Sequence, residues 1–303
     1  MLWTEKYRPS KLSEIVGQDG FVRDAEHWVT NKEMPNVLLY GIAGTGKTTA
    51  ALVLARSILE DDLELNFFEV NASDDRKLET VRTTIKDIAT TRKMGDAPFK
   101  IVLLDEMDGM TPDAQNALKR IMERYSDNVR FVITCNHRHK IIQPLISRTA
   151  NYNFVGLDIP DLSITLSKVL QNEGLKGYTD DEWEPFIEGL DGDLRRGLTE
   201  LQAAQASGSS LRIQTQKMLE PYEIIVRYTN DNDYDNALKE VHKLLLQSVD
   251  MKTVCIRLHD VIVQKEMHHT EKFKLLRIVG EAEWRSNNMT PKVLASWMIG
   301  QMV

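Results

Sequence analysis

Val37-Leu38-Leu39-Tyr40-Gly41-Ile42-Ala43-Gly44-Thr45-Gly46-Lys47-Thr48 is the stretch that decides the fold. Four apolar residues run into a G-x-x-x-x-G-K-[ST] turn, and an amphipathic stretch from Thr48 to Leu59 follows. Buried strand, glycine turn and helix is the order in which this motif can hold phosphate. The glycines let backbone N–H groups wrap an anion, Lys47 reaches its β- and γ-phosphates, Thr48 offers an oxygen to Mg²⁺, and the helix N-terminus adds its dipole.

The pattern repeats outward from that turn. Phe67-Phe68-Glu69-Val70, Ile101-Val102-Leu103-Leu104 and Arg130-Phe131-Val132-Ile133-Thr134 read as further buried strands, with helices expected over Leu78 to Thr91 and Pro112 to Tyr125. Strands alternating with helices predict a parallel α/β sheet. Thr111 followed by Pro112 and Asp113 is a helix start signal. After Phe154 the strand signals stop. Helices are expected over Pro160 to Glu173, Asp180 to Gly189 and Asp193 to Ala206, then several from Pro221 to the end. Ser207-Gly208-Ser209-Ser210 is a flexible break and the expected domain boundary in this half.

A parallel sheet delivers the C-terminal ends of its strands to one edge. Asp105-Glu106, after the strand 101–104, therefore arrives beside the phosphate turn. Asp105 is the expected Mg²⁺ partner, and Glu106 is placed to polarise an attacking water, which a hydrolase needs and a passive nucleotide binder does not. Asp108 reads as a supporting or surface residue. The next strand ends in Thr134-Cys135-Asn136, so the Asn136 amide reaches the same edge, where it can orient water or a γ-phosphate.

Length and composition set outer limits. A chain of 303 residues is about twice a usual domain and implies more than one packing unit. The 42 % hydrophobic content fits a globular protein, and no apolar run approaches the ~20 residues of a membrane span. The start, Met1 to Pro9, has no secretory pattern. Two distant cysteines, Cys135 and Cys255, exclude a disulfide framework and fit a reducing compartment. A net charge of −7 argues against coating nucleic acid by bulk charge but leaves room for a local basic face. His137-Arg138-His139 and His268-His269 have no partner at metal-ligand spacing and read as surface or turn histidines. Met251, Met289, Met298 and Met302 read as core.

Glu5-Lys6-Tyr7-Arg8-Pro9, Ile15-Val16-Gly17-Gln18, Asn71-Ala72-Ser73-Asp74, Phe99 to Glu106, Asp113-Ala114-Gln115-Asn116-Ala117-Leu118-Lys119-Arg120, Met122-Glu123 and Ser147-Arg148 together resemble the small subunit of replication factor C, the archaeal and eukaryotic clamp loader of the AAA+ ATPase class. The resemblance is dense from Leu2 to about Phe154, recurs at Gly192-Asp193-Leu194-Arg195-Arg196-Gly197, and is thin in the C-terminal third. Viral clamp-loader ATPase subunits share the architecture, so a virus-encoded chain fits the pattern too.

The resemblance implies an AAA+ P-loop α/β core over residues 1–155, a helical lid over 156–208 and an all-helical collar over 209–303. Its implied substrate is ATP with Mg²⁺. Nucleotide contacts would come from Tyr7, Arg8, Val16 and Gly17 around the adenine, and from Gly41, Ala43, Gly44, Thr45, Gly46, Lys47, Thr48, Thr49, Asp105 and Asn136. Arg195 would be a second sensor on the γ-phosphate, with Arg196 a helix-end contact. Arg148 would be an arginine finger offered to a neighbouring subunit's ATP; Thr149 departs from the family's Ser-Arg-Cys. Arg76 matches a switch that restrains the catalytic glutamate until DNA arrives, and Arg82 and Lys86, four apart, would meet DNA phosphates alongside Thr83, Thr84 and Thr90. The implied partners are a sliding clamp, primer-template DNA and the other subunits of a pentameric ring with a distinct large subunit, and no membrane. The implied place is the cytoplasm, a eukaryotic nucleus, or the host cytoplasm for a virus. Two other readings stay open: another AAA+ DNA motor such as a branch-migration helicase, for which a winged-helix domain would replace the collar, and a scaffold that holds ATP without hydrolysing it.

Overall fold

A computed structural model of the chain describes residues 1–72, 81–175, 177–207, 214–247 and 249–303. These divide into two compact units, Met1–Leu211 and Arg212–Val303. The first is built on a five-stranded parallel sheet in the order β2-β3-β4-β1-β5, with β1 Val37–Tyr40, β2 Phe67–Asn71, β3 Lys100–Asp105, β4 Val129–Cys135 and β5 Ala150–Asn153.

Successive strand residues face opposite sides of a sheet, and a strand covered on both sides must be apolar throughout. In β3 the residues Val102 and Leu104 enter one core with Leu118, Ile121 and Met122 of the Pro112–Arg124 helix, while Ile101 and Leu103 enter the other with Ala50, Leu54 and Ile58 of the Lys47–Leu59 helix. Both faces are therefore covered, which makes the sheet doubly wound. The Thr111 start signal is realised: its Oγ1 accepts the Ala114 N–H at 3.4 Å, and Pro112 occupies the first turn.

β5 is a strand the sequence reading missed. Ala150-Asn151-Tyr152-Asn153 alternates half-buried and exposed residues and carries two asparagines, so it lacks the apolar run of its neighbours. It forms because it pairs with β1 and because Tyr152 packs edge-on against Phe21 and Trp28 while its hydroxyl donates to Asp24 at 2.7 Å.

The expected Leu78 to Thr91 helix is helical over its described residues 81–90, with an opening turn that is not α. A π turn, Val81–Ile85, precedes a short α-helix, Lys86–Thr90. Lys100 secures that helix end. Its ammonium donates to the carbonyls of Ile88 at 3.0 Å and Thr91 at 2.8 Å and to the Thr91 hydroxyl, and lies over the Phe68 ring. Lys100→Met should remove these bonds and destabilise the first unit by about 1–3 kcal/mol, the cost of leaving such carbonyls unpaired. A fall in the urea midpoint without loss of the far-ultraviolet helical signal in buffer checks it; an unchanged midpoint refutes it.

Three helices, Ile159–Asn172, Asp180–Glu188 and Leu194–Ser207, close the first unit as a small lid around Leu162, Leu166, Phe186, Leu190 and Leu201. Trp3, from the other end of this unit, is buried in the same cluster. Its N–H donates to Gln202 Oε1 at 2.9 Å, and Gln202 Nε2 donates to the Met1 carbonyl at 3.1 Å.

The second unit holds the helices Gln214–Asn230, Tyr234–Leu246, Met251–Gln264, His269–Arg285 and Pro291–Met302. Pro221 lies inside the first of them and does not open it, a correction to the expected start. Ala237, Val241 and Leu244 are buried with Leu238 and Leu245 packed beside them, and Met251, Met298 and Met302 fill the same core. Asp233 and Asp250 begin their helices by accepting the N–H of Asn236 at 3.2 Å and of Thr253 at 2.9 Å.

Candidate active site

β3, β4 and β1 are neighbours, so their C-terminal ends carry Asp105, Cys135 and Gly41 to one edge of the sheet. Tyr40 pairs with Cys135, and the Gly41 N–H donates to the Cys135 carbonyl at 3.2 Å. At Gly41 the chain leaves β1 with φ 145°, and a Cβ there would run into the Phe154 carbonyl oxygen, so only glycine starts this turn. Gly44 and Gly46 follow at φ 81° and 90°.

Lys47 is buried at 7 % exposure, and its ammonium donates to the carbonyls of Gly41 at 2.8 Å and Ile42 at 2.7 Å. Burial pulls it below the ordinary lysine value. Thr48 Oγ1 meets the Asp105 carboxylate at 2.9 Å. These are two hard oxygen donors in contact at the head of a helix, a donor set that suits Mg²⁺. Thr134 in β4 donates to Asp105 and accepts the Glu106 N–H at 3.1 Å, linking the ends of the two strands. Glu106 is exposed and holds φ 54°, a left-handed conformation that costs a non-glycine residue energy and is found where surroundings impose it. Asn136 is exposed one residue past β4, and its backbone N–H donates to Asp108 at 3.3 Å.

A cavity of about 450 Å³ opens beside the loop. Tyr7, Arg8, Val16, Gly44, Thr45, Gly46, Thr49 and Arg195 line it, together with Ile15, Leu157, Leu194 and Leu198. A lining that combines apolar side chains with the glycine turn and Arg195 suits a nucleotide. Gly17 and Ala43 fall outside the lining, although a Cβ at Gly17 would touch Leu157, which belongs to it. Tyr7 donates its hydroxyl to Glu173 in the lid at 2.6 Å. Arg196 bonds Glu200 at 2.7 Å and the Gly189 carbonyl at 3.2 Å.

Arg148 lies elsewhere. Its guanidinium bonds Glu123 through Nε at 2.8 Å and the Pro144 carbonyl at 2.9 Å, with the side chain 40 % exposed. Thr149, the departure from Ser-Arg-Cys, donates to the Leu145 carbonyl at 3.1 Å and so closes the preceding turn locally. Lys86 is exposed at the start of its helix; Arg76 and the Arg82 side chain lie outside the described residues.

Sequence reasoning missed Thr134 as a link, the apolar cavity wall, and a contact of His137. That histidine is an exposed turn residue, as expected, and its Nδ1 stands 2.9 Å from Asp108 Oδ2, contributed from 29 residues away. Leu194 and Leu198 had a legible signal, since they sit four apart on the helix that carries Arg195.

Residues 37–157 match the ATPase family associated with various cellular activities (AAA). Over 93 % of its length the chain is 35 % identical to the replication factor C small subunit of Methanococcus vannielii, covering 92 % of that protein. The chain belongs to the replication factor C small subunit family. The Sulfurisphaera tokodaii member is 36 % identical over 94 % of this chain and 89 % of its own. Among solved structures, the RuvB Holliday junction branch migration motor of Thermotoga maritima superposes with a TM-score of 0.56 at 17 % identity, covering 83 % of this chain and 85 % of that one. That likeness carries the AAA+ fold alone. As a replication factor C small subunit relative with an AAA ATPase domain, the chain is an ATP-hydrolysing AAA+ enzyme.

Proposed function

We propose that this replication factor C relative is an ATPase subunit of a DNA sliding-clamp loader, in which ATP binding holds an open clamp and primer-template DNA triggers hydrolysis and release. One observation carries the reading: the phosphate loop, the acid pair and the lid arginine occur together in a chain 35 % identical to replication factor C small subunits over 93 % of its length.

In this reading Lys47 and the turn Gly41 to Thr49 hold the phosphates, Tyr7, Arg8, Val16 and Gly17 flank the adenine, and Arg195 reads the γ-phosphate. Thr48 and Asp105 would hold Mg²⁺, which would offset the negative charge of the phosphates. Glu106 takes the proton of the attacking water, and Asn136 orients that water or the γ-phosphate. Arg148 reaches a neighbouring subunit's ATP, Arg76 restrains Glu106 until DNA binds there, and Arg82 and Lys86 contribute contacts to DNA phosphates in a shared channel. The organisation proposed is a core to residue 155, a lid to 208 and a collar beyond, within a ring of several subunits.

The test is steady-state ATPase activity of the purified chain, with its partner subunits, in the presence and absence of primed-template DNA and the cognate clamp. Synergistic stimulation by DNA and clamp together is the expected result. Full stimulation by DNA with no effect of the clamp favours the DNA-motor reading, and no turnover under any condition favours the ATP-holding scaffold.

A further inference from the structure

One carboxylate joins the two loops that carry the hydrolytic groups. Asp108 lies in the 3₁₀ turn Met107–Gly109, two residues past Glu106, and its side chain is 11 % exposed. Its Oδ1 accepts the Asn136 N–H at 3.3 Å, and its Oδ2 stands 2.9 Å from His137 Nδ1. The turn is closed on the other side by Gly109 N–H donating to the Glu106 carbonyl at 3.0 Å. The Glu106 backbone is thus held in its left-handed conformation between a tie to Thr134 and a turn whose carboxylate is fastened to the Asn136 loop. Burial alone would raise the Asp108 carboxyl, but the bonds from His137 and from the backbone N–H groups outweigh it and hold the group below its ordinary value, as an acceptor.

We propose that Asp108, braced by His137, is a positioning residue for ATP hydrolysis: its two oxygens fix the spacing between the turn presenting Glu106 and the loop presenting Asn136. Neither Asp108 nor His137 lines the nucleotide cavity. Their proposed effect falls on the alignment of water, and because the Asp108 charge also acts on Lys47, KM for ATP is measured beside kcat. A plain loop staple would act on stability instead, and the two roles separate in the readouts. The inference rests on the roles given above to Glu106 and Asn136.

The test compares Asp108→Asn, His137→Phe and the double variant in the full chain, with partner subunits present, measuring kcat, KM for ATP and thermal midpoint. Asp108→Asn keeps the shape but replaces an acceptor oxygen by a donor. It should lower kcat about 10- to 100-fold, the range expected when reacting groups lose alignment, with KM within about threefold. His137→Phe should lower kcat by a smaller factor, and the double variant should be no slower than Asp108→Asn, because the two residues act through one contact. His137 is 54 % exposed, so its variant folds even if Asp108→Asn does not. An unchanged kcat in both single variants overturns the proposal, as does a fall in kcat matched by a rise in KM and a large loss of thermal midpoint. Glu106→Gln is run alongside. If it is inactive while Asp108→Asn and His137→Phe turn over normally, only the tie is wrong; if Glu106→Gln itself turns over normally, the reading of Glu106 fails and the tie with it.

Discussion

Glu106→Gln should bind ATP as the parent does and hydrolyse it about 10²–10⁴-fold more slowly, the contribution of a positioned general base. The side chain is exposed at the sheet edge, one residue beyond the Asp105 carboxylate that meets Thr48 at 2.9 Å. Glutamine keeps the length and the left-handed backbone but cannot accept a proton. The phosphate loop and the apolar cavity wall are untouched, so affinity for ATP is retained. Equilibrium binding of a fluorescent ATP analogue and phosphate release measured on the same preparation check both halves. Turnover near the parent rate means another group activates water.

Arg148→Ala should remove most hydrolysis by the assembled complex, by about 10³–10⁵-fold if the guanidinium is an arginine finger supplied in trans. Its bonds to Glu123 and the Pro144 carbonyl place it on the stretch before β5, away from the cavity that Arg195 lines. The ion pair with Glu123 is substantially exposed on both sides, and such pairs contribute about 0–1 kcal/mol, so the variant should fold normally. ATP affinity of the isolated chain should be unchanged. A mixing experiment is decisive: Arg148→Ala chains combined with Glu106→Gln chains should recover activity only at interfaces that pair an intact arginine with an intact glutamate. A large fall in ATP affinity instead assigns Arg148 a structural role.

Features encoded locally could be read before the structure. The phosphate loop, the four apolar strands and the Thr111 helix start each depend on neighbours within a few residues, and all appear where the pattern predicts them. β5 was hidden because an edge strand with two asparagines is stabilised by its partner β1 and by Tyr152 packing, not by its own composition. The same limit applies to the site. Lys47 and Thr48 are readable from their motif, but that Thr134 bridges Asp105 and Glu106, or that His137 meets Asp108, follows from strands being side by side. No spacing in the sequence expresses a neighbour 28 or 29 residues away.

Trp3 in the lid core gives the lid a second attachment to the rest of its unit. A lobe joined to its base by one peptide can swing in any direction. This one is fastened twice: residues 154–158 enter it from β5, and the opening residues Met1 to Tyr7 return to it through Trp3, Gln202 and Glu173. The lid is thereby tied to the sheet both by the chain that leaves β5 and by the residues that precede the sheet in sequence. Tyr7 and Arg8 lie beside one attachment and also line the cavity. The same short segment therefore serves both the packing of the lid and the wall of the cavity.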